Sequence, residues 1–356
     1  MARTSSWMAR SAIAALAVVA AACSDSNLTG VISPLNVYRQ TNLVADASGT
    51  SATTVDASLV NPWGLAFGPT GTLWVANNGT GTSTLYDVTG NKLTTTVSIP
   101  GAALLSSGVP TGVVFNSTSD FIIPNAGAAL FIFSGEDGSI SAWNSTAGNS
   151  AQLVVNRETS NSVYKGIAIA SNSGANFLFA TDFKNDHIDV FDRNFAFVKS
   201  FTDTSVPSGY APFGIANIGG QLFVTFAKQA GPDDEDDDPG VGNGYVDVFN
   251  PDGTLSKRFA SNGKLNSPWA VVVAPSTFGA FSGDVLVGNF GDGLISAYDP
   301  ASGAFVDVLR DASTNPIAID GLWGLTFGPG ASASTLYFSA GPNGESHGLL
   351  GSLTAP

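Results

Sequence analysis

Three features of this chain predict an all-β fold, a six-bladed β-propeller with four-stranded blades. The stretch from Asn61 to Asp87, NPWGLAFGPTGTLWVANNGTGTSTLYD, returns five more times in altered form. The copies recur at a period near 50 residues, the spacing of propeller blades or solenoid repeats. The composition suits strands and turns: 41 Gly and 18 Pro, abundant Val, Phe, Thr and Ser, and only 12% charged residues.

Each copy opens on an inner strand A. The six starts are Pro62-Trp63-Gly64, Pro110-Thr111-Gly112, Tyr164-Lys165-Gly166, Pro212-Phe213-Gly214, Pro268-Trp269-Ala270 and Leu322-Trp323-Gly324. Successive starts lie 48, 54, 48, 56 and 54 residues apart. A second apolar run, strand B, follows in every copy at 73–78, 130–135, 178–183, 222–227, 285–290 and 336–341. Strand C carries the pattern Gly-x-x-x-apolar-aromatic-Asp/Asn, as in GTSTLYD (81–87), GSISAWN (138–144), GYVDVFN (244–250) and GLISAYD (293–299). DHIDVFD (186–192) lacks the Gly, and GLLGSLT (348–354) is degenerate. Turn residues come next, among them Pro251-Asp252-Gly253, as a hairpin requires. Outer strands D follow, such as 93–100, 196–203 and 304–311.

The ends of the repeat region predict ring closure. The sixth copy stops after its third strand at Leu353, one strand short. The stretch Val37 to Asp46, VYRQTNLVAD, has strand character and precedes the first repeat. An N-terminal strand that completes the last blade closes the ring and removes the sheet edges. The expected organisation is a signal peptide over 1–22, a tether over 23–36 and one propeller over 37–356.

The formal charge of −14 excludes nucleic acid as a natural partner, since phosphate binding needs a basic footprint. A cation or a basic partner suits it better. Arg3 and Arg10 supply a positive start ahead of the mostly apolar run Ser11 to Val19, which is too short to span a bilayer and reads as a secretory signal. The single cysteine, Cys23, follows Ala20-Ala21-Ala22 in the manner of a bacterial lipobox, although Ala20 stands where Leu is usual. Lipidation of Cys23 would tie the exported protein to a membrane of the cell envelope. The lipoprotein would face the periplasm or the outer surface; simple cleavage after Ala22 is the alternative, and would leave the protein secreted.

The repeats are similar to NHL-type propellers, which share the Pro-x-Gly start, the B strand ending in Asp or Asn, and the aromatic close of strand C. In combination, NPWGLAFGPTGTLWVANNGTGTSTLYD, FATDFKNDHIDVFD, GNGYVDVFN, SPWAVVVAP and GDVLVGNFGDGLISAYDP resemble a family of exported bacterial proteins of uncharacterised function. The resemblance spans about Tyr38 to Leu353. It implies the architecture and carries no activity to transfer.

Propeller topology brings the strand-A starts and the B–C loops to one face. Trp63, Thr111, Lys165, Phe213, Trp269 and Trp323 are therefore expected around the channel mouth. They could line a ligand pocket or simply plug the channel and pack between blades. The B–C loops carry acid: Glu136, Asp137, Asp182, Asp186, Asp292, Glu345 and the run Asp233 to Asp238, which reads as a flexible insertion. Asn77, Asp182, Asn289, Asp233, Asp234 and Asp236 offer hard oxygen ligands for Ca²⁺.

Two function classes lead, ahead of a structural surface-layer or matrix protein that would have to self-associate. One is a binding or scaffold module at the cell envelope, which would take a protein or a small molecule on this acidic face. The other is a Ca²⁺-dependent hydrolase of lactonase type with its site at the channel mouth, for which Asn77, Asp182 and Asn289 would have to converge on the metal. Two histidines, His187 and His347, are too few for a polyhistidine zinc site. His347, near Glu345, is the better placed of them for chemistry.

Overall fold

The computed structural model describes residues 35–103 and 106–356, and its architecture is the expected six-bladed propeller. Cys23 and the signal segment lie outside the described residues. The first blade comprises Pro62–Phe67, Leu73–Asn77, Thr82–Tyr86 and Lys92–Ser98, hydrogen-bonded in chain order. Blades two to five repeat this order from inner strands Pro110–Phe115, Tyr164–Asn172, Tyr210–Ile218 and Pro268–Val273. The second blade adds an unforeseen hairpin, Ile122–Ile123 with Gly127–Ala128, between its first two long strands.

The sixth blade holds Leu322–Phe327, Thr335–Ala340 and Leu349–Thr354 from the C-terminal end of the chain. Arg39–Ala45 pairs antiparallel to Leu349–Thr354, with Gln40 opposite Leu353 and Thr41 opposite Ser352. The N-terminal strand thus supplies the missing outer strand. Asn36, assigned above to the tether, is already bonded to the domain: its side-chain amide donates to Asp307 Oδ2 at 3.1 Å and to the Val308 carbonyl at 2.9 Å.

Burial explains why these segments become these strands. B strands such as Leu73–Asn77 and Val285–Asn289 are buried throughout, so they read as continuous apolar runs. Outer strands such as Phe197–Phe201 are largely exposed. Six of the apolar cores each lie between two neighbouring blades, as where Leu286 and Ile295 meet Leu322 and Leu336. A seventh core holds the residues of the axis.

The inner strands approach one another closely, and this accounts for the recurrent glycine. A Cβ on Gly64 would lie 2.7 Å from the Thr111 carbonyl oxygen, one on Gly214 1.9 Å from the Trp269 carbonyl oxygen, and one on Gly324 2.5 Å from the Trp63 carbonyl oxygen. Blade five departs from the pattern with Ala270, and its register partner on strand B is Gly288. The small residue has changed strands.

Hydroxyls opposite the glycines join the blades. Ser134, Thr225 and Ser339 accept hydrogen bonds from the backbone N–H of Gly112, Gly214 and Gly324 at 3.1, 2.8 and 2.9 Å. Thr181 Oγ1 donates to the Phe213 carbonyl of the next blade at 2.8 Å. Ser339 likewise donates to the carbonyl of Trp63, from the last blade to the first.

Closure by the N-terminal strand is testable. Val44 is fully buried against Leu350 and Tyr86 in the core between the last and first blades. Val44→Asp would bury an unpaired carboxylate and is expected to cost about 3 kcal/mol or more. Urea unfolding of the two proteins measures this, and an unchanged midpoint would mean that the strand is not a structural part of the ring.

Candidate functional site

Five of the six strand-A residues expected at the channel mouth are fully buried, and Trp269 is partly so. The aromatic ones form a plug. Trp63 and Trp323 stack with ring centroids 3.4 Å apart, and Phe290 stacks on Trp323 at 4.0 Å. Trp269 meets both tryptophans edge-on at 6.0 and 5.9 Å, and Phe213 packs against Trp323 at 5.8 Å. Thr111 contributes to neither plug nor pocket, because its hydroxyl is bonded to the Tyr164 carbonyl at 2.7 Å. The packing role is therefore real for most of the ring.

The upper side of the plug is nevertheless the floor of a pocket. Trp63, Lys165, Phe290 and Trp323 line a 460 Å³ cavity together with Glu136, Asp236, Asp237 and Glu345 from three B–C loops. Phe290 and Asp237 were not singled out from the sequence. The available signal was the aromatic residue that directly follows the strand-B Asp or Asn in blades three and five, Phe183 and Phe290.

Lys165 is the only cation among the described residues that line the pocket and is 2% exposed. Its ammonium bonds Glu136, lies 3.4 Å from Asp236, and stands 5.3 Å from the Trp63 ring centroid and 5.9 Å from that of Phe183. Burial alone would lower its pKa, but the charges of Glu136, Asp236 and Asp237 raise it above the normal lysine value. Lys165 therefore stays protonated. It is a structural cation, not a nucleophile.

A polar chain runs around the rim. Glu136 Oε2 accepts from the Asn78 amide at 2.7 Å, and Glu345 Oε2 accepts from the Asn61 amide at 2.6 Å. Asn61 in turn accepts from the Trp323 indole N–H at 3.1 Å, coupling rim to floor. Asn61 and Glu345 both adopt left-handed backbone, with φ of 45° and 64°. For Glu this conformation is costly, a strain that collects at functional sites. Burial raises the carboxyl pKa of both Asp237 and Glu345, and their acidic neighbours add to the effect.

The acidic run Asp233 to Asp238 is not a free insertion, as its composition suggested. It folds back on its own blade through hydrogen bonds from Ala230 N to Asp236 O at 2.8 Å and from Asp238 N to Lys228 O at 2.7 Å. Glu235 pairs with Lys184 at 2.6 Å. Folding back brings Asp236 and Asp237 over the pocket, whereas Asp233 and Asp234 are not among its lining residues.

The three residues of the expected metal set are each bonded within their own blade, although the Asn77 Oδ1 atom is buried without a partner among the described residues. Asn77 donates to Thr82 and Thr84 of its own blade at 3.1 and 2.9 Å. Asp182 accepts from the Val163 N–H at 3.0 Å and the Asn185 amide at 2.9 Å. Asn289 accepts from the Asn266 N–H at 3.2 Å and donates to the Lys264 carbonyl at 2.8 Å. Each ties down the loops of its own blade, which is why Asp or Asn recurs at the end of strand B. His347 bonds Asp46 at 2.8 Å, so it is not paired with Glu345.

Among the described residues, Asp182, His187 and Asp189 form the one group of His, Cys, Asp or Glu side chains close enough to share an ion. His187 Nε2 lies 3.1 Å from Asp189 and 3.6 Å from Asp182. Asp189 also accepts from the Tyr164 and Ser200 hydroxyls, both at 2.7 Å. Burial works against the charged imidazole, yet the two carboxylates raise its pKa above the usual value. The trio is satisfied as an imidazolium between carboxylates.

The residues define a six-bladed β-propeller with an acidic, aromatic-floored pocket at one channel mouth, and solved propellers match its fold. The GH93 α-L-arabinofuranosidase of Fusarium graminearum superposes with a TM-score of 0.56 at 13% identity, covering 90% of this chain and 98% of that one. Virginiamycin B lyase from Staphylococcus aureus gives 0.53 at 13% identity, covering 89% and 98%. A Bacteroides thetaiotaomicron protein of unknown function gives 0.58 at 12% identity, covering 89% and 76%. At these identities the likeness extends to the fold alone. No protein-family profile matches the chain.

The sequence relatives are closer. Uncharacterized protein R648 of Acanthamoeba polyphaga mimivirus is 35% identical over 349 residues, covering 93% of this chain and 84% of the viral protein. Uncharacterized protein L690 of the same virus is 36% identical over 319 residues, covering 84% and 81%. The chain belongs to the family of these viral proteins.

Two outcomes are expected from this geometry. Trp323→Ala removes the centre of the axial stack and should destabilise the protein by about 3–5 kcal/mol in denaturant unfolding. The His187 pair contributes its full stability below the unfolded-state pKa near 6.5, and loses it as pH rises through the higher folded-state value. Melting temperature should therefore fall more steeply above pH 6.5 in the wild type than in His187→Gln. Parallel curves would show that the trio does not hold a charged imidazole.

Proposed function

We propose that this protein is an exported binding module, held at the cell envelope by a lipid on Cys23, which captures its ligand in the channel-mouth pocket. The observation that carries the reading is the 460 Å³ cavity on the Trp63–Trp323–Phe290 stack, rimmed by carboxylates from separate loops. Cavities of this size with an aromatic surface and a few converging polar groups are typical small-ligand sites. The strained Glu345 backbone adds weight. The positively charged start, short apolar run and single cysteine of the N-terminal segment support export and anchoring.

The Ca²⁺-hydrolase reading loses two of its three proposed ligands to their own blades, since Asp182 and Asn289 accept from the Val163 and Asn266 N–H groups, while the Asn77 oxygen is buried without a partner among the described residues. Within the pocket, the Lys165 ammonium sits between Glu136 and Asp236, where a bridging cation would have to go. Its positive charge there opposes a divalent ion.

Asp236 lines the pocket but has a side chain 82% exposed, so Asp236→Trp fills the mouth without disturbing the core. Compounds from a mixed set of amines, acids and sugars that raise the melting temperature of the wild type should fail to do so in Asp236→Trp. At 100-fold saturation the stabilisation is about 2.7 kcal/mol, an easily read shift. Stabilisation that survives the substitution would put binding elsewhere. Cys23→Ala should move the protein from the membrane fraction to the soluble one, and unchanged membrane association would remove the lipid anchor from the proposal.

A further inference from the structure

We infer that the channel-mouth pocket selects an organic cation, a ligand whose ammonium or guanidinium group is held by Asp236, Asp237 and Glu345 above the Phe290–Trp323 stack. The inference rests on the reading of this cavity as the binding site and names the chemistry that it takes.

Four carboxylates face one ammonium in the cavity. Lys165 is committed to Glu136 and reaches Asp236 only at 3.4 Å. Glu345 has a neutral amide, that of Asn61, on one oxygen. The Asp237 Oδ2 atom is buried and has no hydrogen-bond partner among the described residues. A buried acceptor without a donor costs free energy that a ligand N–H would recover. The indole N–H of Trp63, 2% exposed, is likewise without a partner among the described residues, and a donor-only cation leaves it so. Over the lining as a whole, the oxygens of four carboxylates outnumber the donors that Lys165 and this N–H supply.

The chain's own lysine shows that this environment accommodates an ammonium ion. Its Nζ is buried on the faces of Trp63 and Phe183 and remains charged. Cation–π attraction of this kind strengthens when water is excluded. An anion would meet a net negative wall. A neutral sugar would bury the carboxylates without compensating their charge, which is costly. A divalent ion would compete with Lys165 at the Glu136–Asp236 pair. A monovalent organic cation avoids that position, uses the free acceptors and covers the aromatic floor.

The same group could come from a free amine or from an arginine or lysine of a polypeptide, and the test separates the two. Butylguanidinium chloride, its neutral isostere butylurea, sodium valerate, calcium chloride and the capped peptide acetyl-Gly-Arg-Gly-amide are titrated into the full chain. Binding is followed by calorimetry and by fluorescence of the floor tryptophans. Butylguanidinium should bind saturably and at least tenfold more tightly than butylurea. That binding should weaken at least tenfold in Asp237→Asn and in Glu345→Gln, which remove repulsion and should fold. Tighter binding of the peptide than of butylguanidinium assigns the cation to a polypeptide; weaker binding assigns it to a free compound.

Butylurea, valerate or Ca²⁺ binding as tightly as butylguanidinium, and blocked by Asp236→Trp, would overturn the cation inference and leave the pocket reading standing. Cation binding unaffected by Asp236→Trp and by both carboxylate variants would overturn the two together. Failure of every cationic probe to bind would overturn the inference alone, since the mixed-set comparison with Asp236→Trp still decides whether the pocket binds.

Discussion

The structure depends on how closely six inner strands can approach a common axis. Backbone meets backbone there, with separations that leave no room for a Cβ at Gly64, Gly214 or Gly324. Glycine at this position lets each strand lie against its neighbour, and a hydroxyl from strand B satisfies the backbone groups that the approach leaves facing one another. Blade five keeps the constraint while changing its solution, with Ala270 on strand A and Gly288 opposite on strand B.

Tight approach at the glycines forces the preceding side chains together at one end of the channel. Three tryptophans and three phenylalanines, Phe183, Phe213 and Phe290, fill that end and seal it. The seal converts a pore into a floor. Without it, the acidic B–C loops would surround open channel, and their charge would be dispersed in water. With it, Glu136, Asp236, Asp237 and Glu345 stand around a low-dielectric surface, where each unscreened charge has a larger effect. Lys165 offsets part of that charge from within, held over the aromatic rings by the carboxylates it neutralises.

Much of this was legible from residue patterns. The Pro-x-Gly starts, the apolar B strands and the incomplete sixth repeat specify blade number, strand order and closure, because these follow from hydrophobic periodicity and from counting. The ring Trp63, Lys165, Phe213, Trp269 and Trp323 was legible as a shared location for the same reason. The roles of Asn77, Asp182 and Asn289 were not. An Asp or Asn at the end of a strand looks identical whether it coordinates a metal or caps a loop, and only its hydrogen-bond partners distinguish the two. Here the recorded partners are backbone, hydroxyl and amide groups of the same blade, with only the Asn77 oxygen left without one among the described residues.

The sequence by itself determined the repeat, the number of blades and the sign of the charge at the channel mouth, since each is set by local pattern or by composition. Tertiary structure decided which acids matter. The run Asp233 to Asp238 reads as one solvated block, yet its backbone pairing brings Asp236 and Asp237 to the pocket and leaves Asp233 and Asp234 out of its lining. Phe290 joins Trp323, and Glu345 meets Asn61 across 284 positions of chain. Such meetings depend on the path of the backbone through six blades, and residues so far apart leave no joint signature in a single sequence.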